Sequence, residues 1–271
     1  MTVVATVLGT RVHALAQACE RALLVSDLHL PADGGSPFAA LGHAVAAARR
    51  ERTPLFLLGD LFDSYVARGQ ARVGIWRDTA ALLRQLADDR VPAHVLHGNR
   101  DFLLGPEFAA ASGAVVVAGG LRGALGGVDT LLLHGDELCQ NDLPYQRAKR
   151  WLRHPVTRAI ARSLPVALAL RVAARARAKS AMVIRGGDQT RFLPTAAAVG
   201  AAFATGASRL VFGHIHRFAR GRHGVGEYRV LPAFDADPVG LAIDAAGWRP
   251  VRCTAAGLVA VAEPGPCPFG N

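Results

Sequence analysis

Five apolar runs in this chain end in the same kind of chemistry. Leu23-Leu24-Val25-Ser26 leads into Asp27-Leu28-His29, and Leu55-Phe56-Leu57-Leu58 into Gly59-Asp60. Ala93-His94-Val95-Leu96-His97 leads into Gly98-Asn99, Leu131-Leu132-Leu133 into His134-Gly135-Asp136, and Leu210-Val211-Phe212 into Gly213-His214-Ile215-His216. A short apolar run bounded by turn residues reads as a buried strand, so each motif is placed at a strand's C-terminal end. Residues 38–52, 74–90 and 195–206 read as helices, the second stopped by Pro92. Strand and helix therefore alternate, which predicts an α/β fold with βαβ units. In an open α/β sheet the C-terminal strand ends face one crevice. Carboxylate, imidazole and amide groups far apart in sequence are thus predicted to meet at one rim.

Singly, each motif is weak. A strand-end Asp is more often a turn or cap residue, a lone His more often a surface or core residue, and Asn after Gly more often a turn. All five together, in this order, are hard to produce without a site. Asp27/His29 and His214/His216 are i, i+2 pairs, which on a strand point the same way and can hold one cation between them. Carboxylate, imidazole and amide oxygen suit Mn²⁺, Fe²⁺, Mg²⁺ or Zn²⁺ rather than Cu(I) or iron–sulfur. Asp27, His29, Asp60, Asn99, His134, His214 and His216 are more ligands than one metal takes. They fit two cations about 3.5–4 Å apart that share a carboxylate, as used for in-line displacement at phosphorus.

The remainder of the chain is read more coarsely. Residues 1–21 contain a short apolar stretch, Val3 to Leu8, which leaves open an extra strand or a loosely ordered tail. Glycines crowd 113–127, where Val115-Val116-Val117 and Leu131-Leu132-Leu133 read as short strands separated by turns. Tyr145 to Arg185 is helical, rich in Arg and Lys, and contains no acidic residue. Tyr228 to Val261 reads as β-hairpins, with a Pro/Gly-rich tail after Glu263. Cys19, Cys139, Cys253 and Cys267 have no Cys-x-x-Cys spacing, which argues against a disulfide framework or structural zinc and fits a reducing compartment. No secretory signal is evident, and no run of about eighteen apolar residues predicts a spanning helix. A cytoplasmic protein is expected. With 31 Lys and Arg against 21 Asp and Glu, the net charge of +10 suggests an anionic partner, although an Ala- and Arg-rich composition alone raises it.

The motif series Asp27-Leu28-His29, Gly59-Asp60-Leu61-Phe62-Asp63, Gly98-Asn99-Arg100-Asp101, His134-Gly135-Asp136 and Gly213-His214-Ile215-His216 resembles that of calcineurin-like metallophosphoesterases. The resemblance covers roughly residues 22–245 and implies a four-layer αββα sandwich, with a metallophosphoesterase domain over 22–262. It implies one metal on Asp27, His29, Asp60 and His216 and another on Asp60, Asn99, His134 and His214, two divalent ions expected to be Mn²⁺. It implies catalytic roles for Asp60, Asn99, Arg100 and His134. Many members carry His where Arg100 stands, to protonate a leaving oxygen. Arginine cannot give up that proton, but it can brace phosphate oxygens bidentately. This suits a leaving group such as phosphate, whose second pKa is about 6, and favours pyrophosphate cleavage.

Gly98 to Gly105 and His134 to Gln146 narrow the resemblance to the UDP-2,3-diacylglucosamine pyrophosphatase family of lipid A synthesis. That family acts at the cytoplasmic face of the inner membrane and releases UMP and 2,3-diacylglucosamine 1-phosphate. The resemblance implies substrate contacts from Asn99, Arg100, Asp142, Ser180 and His214. It also implies a basic helical insert, 145–190, covering the acyl chains. Arg147, Lys149, Arg150, Arg153, Arg158 and Arg162 alternate there with Trp151, Val156, Ile160 and Leu164, a pattern able to meet acyl chains, anionic headgroups and an anionic membrane surface. The chain departs from the family at Asp63-Ser64-Tyr65-Val66-Ala67, at Ile184 and Gly187, where Asn and Lys are usual, and at Arg217-Phe218. These departures leave a different nucleotide or phosphoester substrate as the alternative. Nucleic acid is not expected as a partner, because the basic residues concentrate beside apolar ones with few aromatics for base stacking. A non-catalytic scaffold is disfavoured because all seven ligand positions are filled.

Overall fold

Alternation along the strands builds the core. In β3 (Ala22–Val25) and β4 (Leu55–Leu57), Leu23, Val25, Leu55 and Leu57 face one cluster, while Ala22, Leu24 and Phe56 face another. The first cluster lies under α1 (Gly35–Arg50), α2 (Gly74–Asp88) and α3 (Pro106–Ser112). The second is the seam between two sheets, where Leu24, Phe56 and Leu96 meet Leu121, Leu132 and Val211. Strands buried on both faces must be apolar throughout, which is why these runs show no polar alternation. The computed structural model describes residues 1–185 and 189–267, with side chains of 177–189 excepted.

One sheet contains β3, β4, β5 (Ala93–Leu96) and β6 (Val115–Val117) in parallel register, extended by antiparallel β12 (Val239–Asp244), β13 (Gly247–Thr254) and β14 (Gly257–Ala260). The other runs from β1 (Val3–Val7) and β2 (Thr10–Ala14) through β7 (Gly120–Leu125), β8 (Val128–Leu132), β9 (Arg209–Phe212) and β11 (Gly226–Val230) to β10 (Ala219–His223). Its outer face packs on α7 (Ala196–Phe203). The layers are helix, sheet, sheet, helix: the expected αββα sandwich. The N-terminal alternative resolves in favour of strands, since β1 and β2 form a hairpin joined to β7 by parallel pairing.

Two readings are corrected. Gly120 and Gly123 do not mark turns; they lie inside β7. A side chain at Gly120 would press on Leu133 and one at Gly123 on Leu15, so the absence of Cβ serves packing. Nor is the C-terminal region made only of hairpins, because β11 runs parallel to β9. It therefore ends at the same rim as the metal-type motifs.

Between β8 and α7 lies the helical insert: α4 (Leu143–Leu152), α5 (Pro155–Ser163) and α6 (Val166–Arg185). Neither α4 nor α5 contains a buried residue. Ala161 and Leu170 pack on the edge of the core under α1–α3.

Candidate metal centre

The loops after β3 and β4 continue side by side beyond the strands. Asp27 N–H donates to Gly59 O (3.2 Å), His29 N–H to Asp60 O (2.9 Å) and Leu30 N–H to Leu61 O (3.0 Å). Within the other sheet, Gly213 N–H donates to His134 O at 2.8 Å, tying the loop after β9 to that after β8. Five ligand-type residues adopt left-handed backbone: Asp27 (φ 56°), His29 (42°), Asp60 (50°), His214 (69°) and His216 (52°). Such conformations cost about 1–3 kcal/mol each outside glycine and persist where surrounding structure enforces them. Their clustering at one rim marks a functional constraint.

This geometry corrects the expectation that the i, i+2 pairs share a strand. β3 ends at Val25 and β9 at Phe212, so both pairs lie in loops. Left-handed turns, rather than strand alternation, aim the side chains. His214 and His216 consequently diverge: His214 Nδ1 is 3.1 Å from Asn99 Oδ1, whereas His216 Nε2 is 3.4 Å from Asp27 Oδ1.

All seven sequence-predicted ligands meet. His29 Nε2 is 3.8 Å from Asp27 Oδ1 and 3.5 Å from Asp60 Oδ2. His134 Nε2 is 3.8 Å from Asp60 Oδ1 and 3.0 Å from Asn99 Oδ1. Asp60 thus turns one oxygen toward His29 and the other toward His134. Two groups, Asp27–His29–His216 and Asp27–Asp60–His134, each gather their ligand atoms within 4.8 Å of one another. Asp27 Oδ1 and His29 Nε2 are buried with no hydrogen-bond partner. Buried polar atoms left unpaired are costly, and a cation among these atoms satisfies both. The donor set fits divalent metals.

Surrounding groups orient the ligands, and most were not singled out from the sequence. Leu58 O lies 2.9 Å from His134 Nδ1, leaving Nε2 for the centre. Asp235, on the loop after β11, lies 3.1 Å from His29 Nδ1. Its signal was the parallel direction of β11, hidden by the hairpin reading. Ser26 Oγ donates to Asp27 Oδ2 at 2.7 Å, and His214 N–H donates to the same oxygen at 2.8 Å. Asp101, inside the quoted Gly-Asn-Arg-Asp motif, accepts from Gly98 N–H at 2.8 Å and Leu61 N–H at 2.7 Å, binding the two loops together. Gly98 and Gly213 are required by close approach: a Cβ on the first would collide with Asp60, and on the second with Ser26 and Asp27.

Charge follows from this crowding. Burial opposes a charge on His134, but Asp60, Asp27 and Asp136 outweigh it and raise the imidazole to about 9. His214 goes the other way, to about 4, through burial and the neighbouring His134. Against burial, His216 and His134 hold Asp27 well below the usual carboxylate range. Asp101 is pushed up to about 7 by burial and by the Asp60 charge. Cation binding displaces protons from imidazole ligands.

Arg100 stands at the mouth, its side chain one-third exposed (33%), with Nε 3.4 Å from Asp60 Oδ2 and Nη1 2.6 Å from Asp63 Oδ1. Asp142 caps α4, accepting from Tyr145 N–H at 3.3 Å. The side chains of Ser180 and Ile184, together with Gly187, lie outside the described residues. The insert's charge is only partly available to a headgroup. Lys149 and Arg153 turn inward to Asp136, and Arg162 pairs with Glu107 and donates to Leu103 O, while Arg147 and Arg150 are exposed. A cavity of about 330 Å³ lies between α5, α3 and β6, lined by His97, Leu104, Ala109, Val116, Arg158 and Arg162. Trp151, Val156, Ile160, Leu168 and Val172 are exposed on the insert. Among the described residues, no helix is long and apolar enough to cross a membrane.

The family described as calcineurin-like phosphoesterase matches residues 20–218, a span that contains all seven ligands. The chain is similar to the UDP-2,3-diacylglucosamine hydrolase of Pseudomonas putida (strain W619), with 34% identity over 196 residues, 72% of this chain and 81% of that protein. It is 35% identical over 158 residues to the protein of the same name from Ectopseudomonas mendocina (strain ymp), covering 58% and 65%. With that from Yersinia pestis bv. Antiqua (strain Angola) it shares 33% identity over 196 residues, covering 72% and 81%.

Proposed function

The chain belongs to the calcineurin-like phosphoesterase family, and on that premise we propose that it hydrolyses the pyrophosphate bond of UDP-2,3-diacylglucosamine. The products are UMP and 2,3-diacylglucosamine 1-phosphate. The observation that carries the reaction is Asp60, buried (1% exposed), with its two oxygens turned to His29 and His134 on opposite sides. That position suits a carboxylate shared between two cations. Asp27, His29, Asp60 and His216 would hold one, and Asp60, Asn99, His134 and His214 the other. When bound, divalent metals, with Mn²⁺ the preferred reading, polarise the phosphoryl oxygen and supply a nucleophile from water at neutral pH.

The chain's own residues orient and stabilise. Arg100 donates to phosphoryl oxygens as negative charge develops, and Asp63 and Asp60 hold its guanidinium at the mouth. The leaving phosphate needs no proton from Arg100, since its second pKa is about 6. Asn99 and His214 border the substrate side of the centre, and Asp142 and Ser180 are its proposed contacts on the insert. The substrate reading is supported by the named relatives and by the apolar side chains of the insert. We assign the phosphoesterase unit to 22–262, the substrate cap to 145–190, and the added edge strands to 1–21. The exposed Trp151, Val156 and Ile160 beside Arg147 and Arg150 suit peripheral contact with the anionic inner face of a cell's inner membrane from the cytoplasm.

Incubation of the purified protein with UDP-2,3-diacylglucosamine and Mn²⁺ is expected to release UMP. Turnover of bis(p-nitrophenyl) phosphate without UMP release would keep the centre and reject the substrate, pointing to another nucleotide or phosphoester. Absence of any bound or activating divalent ion would reject the centre itself.

A further inference from the structure

Asp136 follows His134 by two residues, is 1% exposed, and ligates nothing in the proposed centre. Its carboxylate instead collects three side chains from one face of the insert. Tyr145 Oη donates to Asp136 Oδ2, Lys149 Nζ lies 2.8 Å from it, and Arg153 Nη2 lies 3.4 Å from it. Tyr145, Lys149 and Arg153 are spaced i, i+4, i+8, the separation that stacks side chains along one helical face. Gln146 Nε2 adds bonds to Asp136 O (2.8 Å) and Cys139 O (3.2 Å). Since α4 buries no residue, this polar face is its main hold on the sandwich.

The same face reaches the centre. The Tyr145 ring lies 6.4 Å from that of His214 at an interplanar angle of 30°. Arg153 Nη2 donates to Gly98 O at 3.2 Å, on the residue before Asn99. Two ligand-bearing loops, from opposite sheets, are therefore touched by side chains that Asp136 holds in place.

We propose that Asp136 is a positioning residue that pins α4 against the His214 and Gly98–Asn99 loops, so that the substrate cap and the phosphoryl-transfer centre keep one fixed geometry. Removing one partner of a buried ion pair leaves the remaining charge less well compensated, so loss of Lys149 loosens the hold of Asp136 on α4 even with Arg153 and Tyr145 in place. A substrate that spans centre and insert needs the pin; a small diester that meets only the centre does not. This kinetic distinction rests on the nucleotide–lipid reading, whereas the docking of α4 does not.

The test uses the Mn²⁺-loaded full chain with Asp136→Asn, Lys149→Met and Lys149→Arg. Lys149→Met is expected to raise KM for UDP-2,3-diacylglucosamine about tenfold while kcat on bis(p-nitrophenyl) phosphate stays within about twofold. Amide hydrogens of residues 145–152 should exchange at least about tenfold faster, with those of β3 and β4 unchanged. Lys149→Arg should restore both readouts. In the double variant with Asp136→Asn, the Lys149→Met effect should vanish, as expected for two groups acting through one contact. Unchanged exchange of α4 in Lys149→Met and Asp136→Asn overturns the pin. A wild-type protein that leaves the lipid-linked nucleotide intact overturns the substrate reading alone, and α4 exchange then decides the pin by itself.

Discussion

Asp27, Asp60 and His134 are 0%, 1% and 3% exposed and hang from strands packed on both faces, whereas Trp151, Val156 and Ile160 on the insert are 68%, 60% and 60% exposed. The centre is set by backbone: paired loops, left-handed turns and glycines that let two sheets approach. The insert is set by side chains, chiefly the face of α4 on Asp136 and the Arg162–Glu107 pair. A centre built into the core cannot drift without unfolding, because close-packed interiors transmit any displacement. A module held through a few polar contacts can vary in sequence while the chemistry stays. In the proposed function this difference separates reaction from substrate: the first is assigned to the rim of the sandwich, the second to what is docked over it.

The largest effect should come from the carboxylate proposed to be shared. Asp60→Asn is expected to lower Mn²⁺-dependent hydrolysis by about 10³-fold or more, with the circular dichroism spectrum unchanged. Retained activity would break the contrast at its base. His94 probes the seam beneath the centre, where its ring stacks on Phe56 at 4.7 Å. Burial lowers His94 to about 4, so folding keeps it neutral; its stabilising contribution is present above about 6.5 and is lost as pH falls through about 4. His94→Phe keeps the stack and removes the proton, so the loss of stability between pH 6.5 and 4, up to about 3 kcal/mol from this group, should flatten in urea titrations.

Asp235→Asn tests whether the orientation of His29 depends on the carboxylate at its Nδ1. Loss of such a partner typically costs about 10–100-fold in metal affinity or activity, and calorimetric Mn²⁺ titration should show the weakened site. The smallest effect is expected on the insert surface. Trp151→Ser with Ile160→Ser should leave unfolding free energy within about 0.5 kcal/mol of wild type. The same variant should lower cosedimentation with vesicles of anionic lipid. A large loss of stability there would mean that these side chains pack rather than face solvent.

The sequence carried the centre because its residues are local to strand ends: each apolar run declared a strand, and the residues after it could be counted as ligands. All seven gather in the structure as that count predicts. How they gather was not legible. The strand-alternation argument for Asp27/His29 and His214/His216 fails because backbone φ beyond a strand depends on what the loop pairs with. Asp235 was missed because the direction of β11 is fixed by its neighbour β9 and not by its own residues. Lys149 and Arg153 read as cations for anionic headgroups for the same reason: a basic helix looks alike whether its charges meet a headgroup or a buried carboxylate. Periodicity and ligand chemistry are properties of residues along the chain, and they determined the α/β alternation and the rim, while the sandwich followed from the resemblance of the motif series. Left-handed loop geometry, the parallel β9–β11 pair and the convergence of α4 on Asp136 are properties of segments brought together, and only tertiary packing decided them.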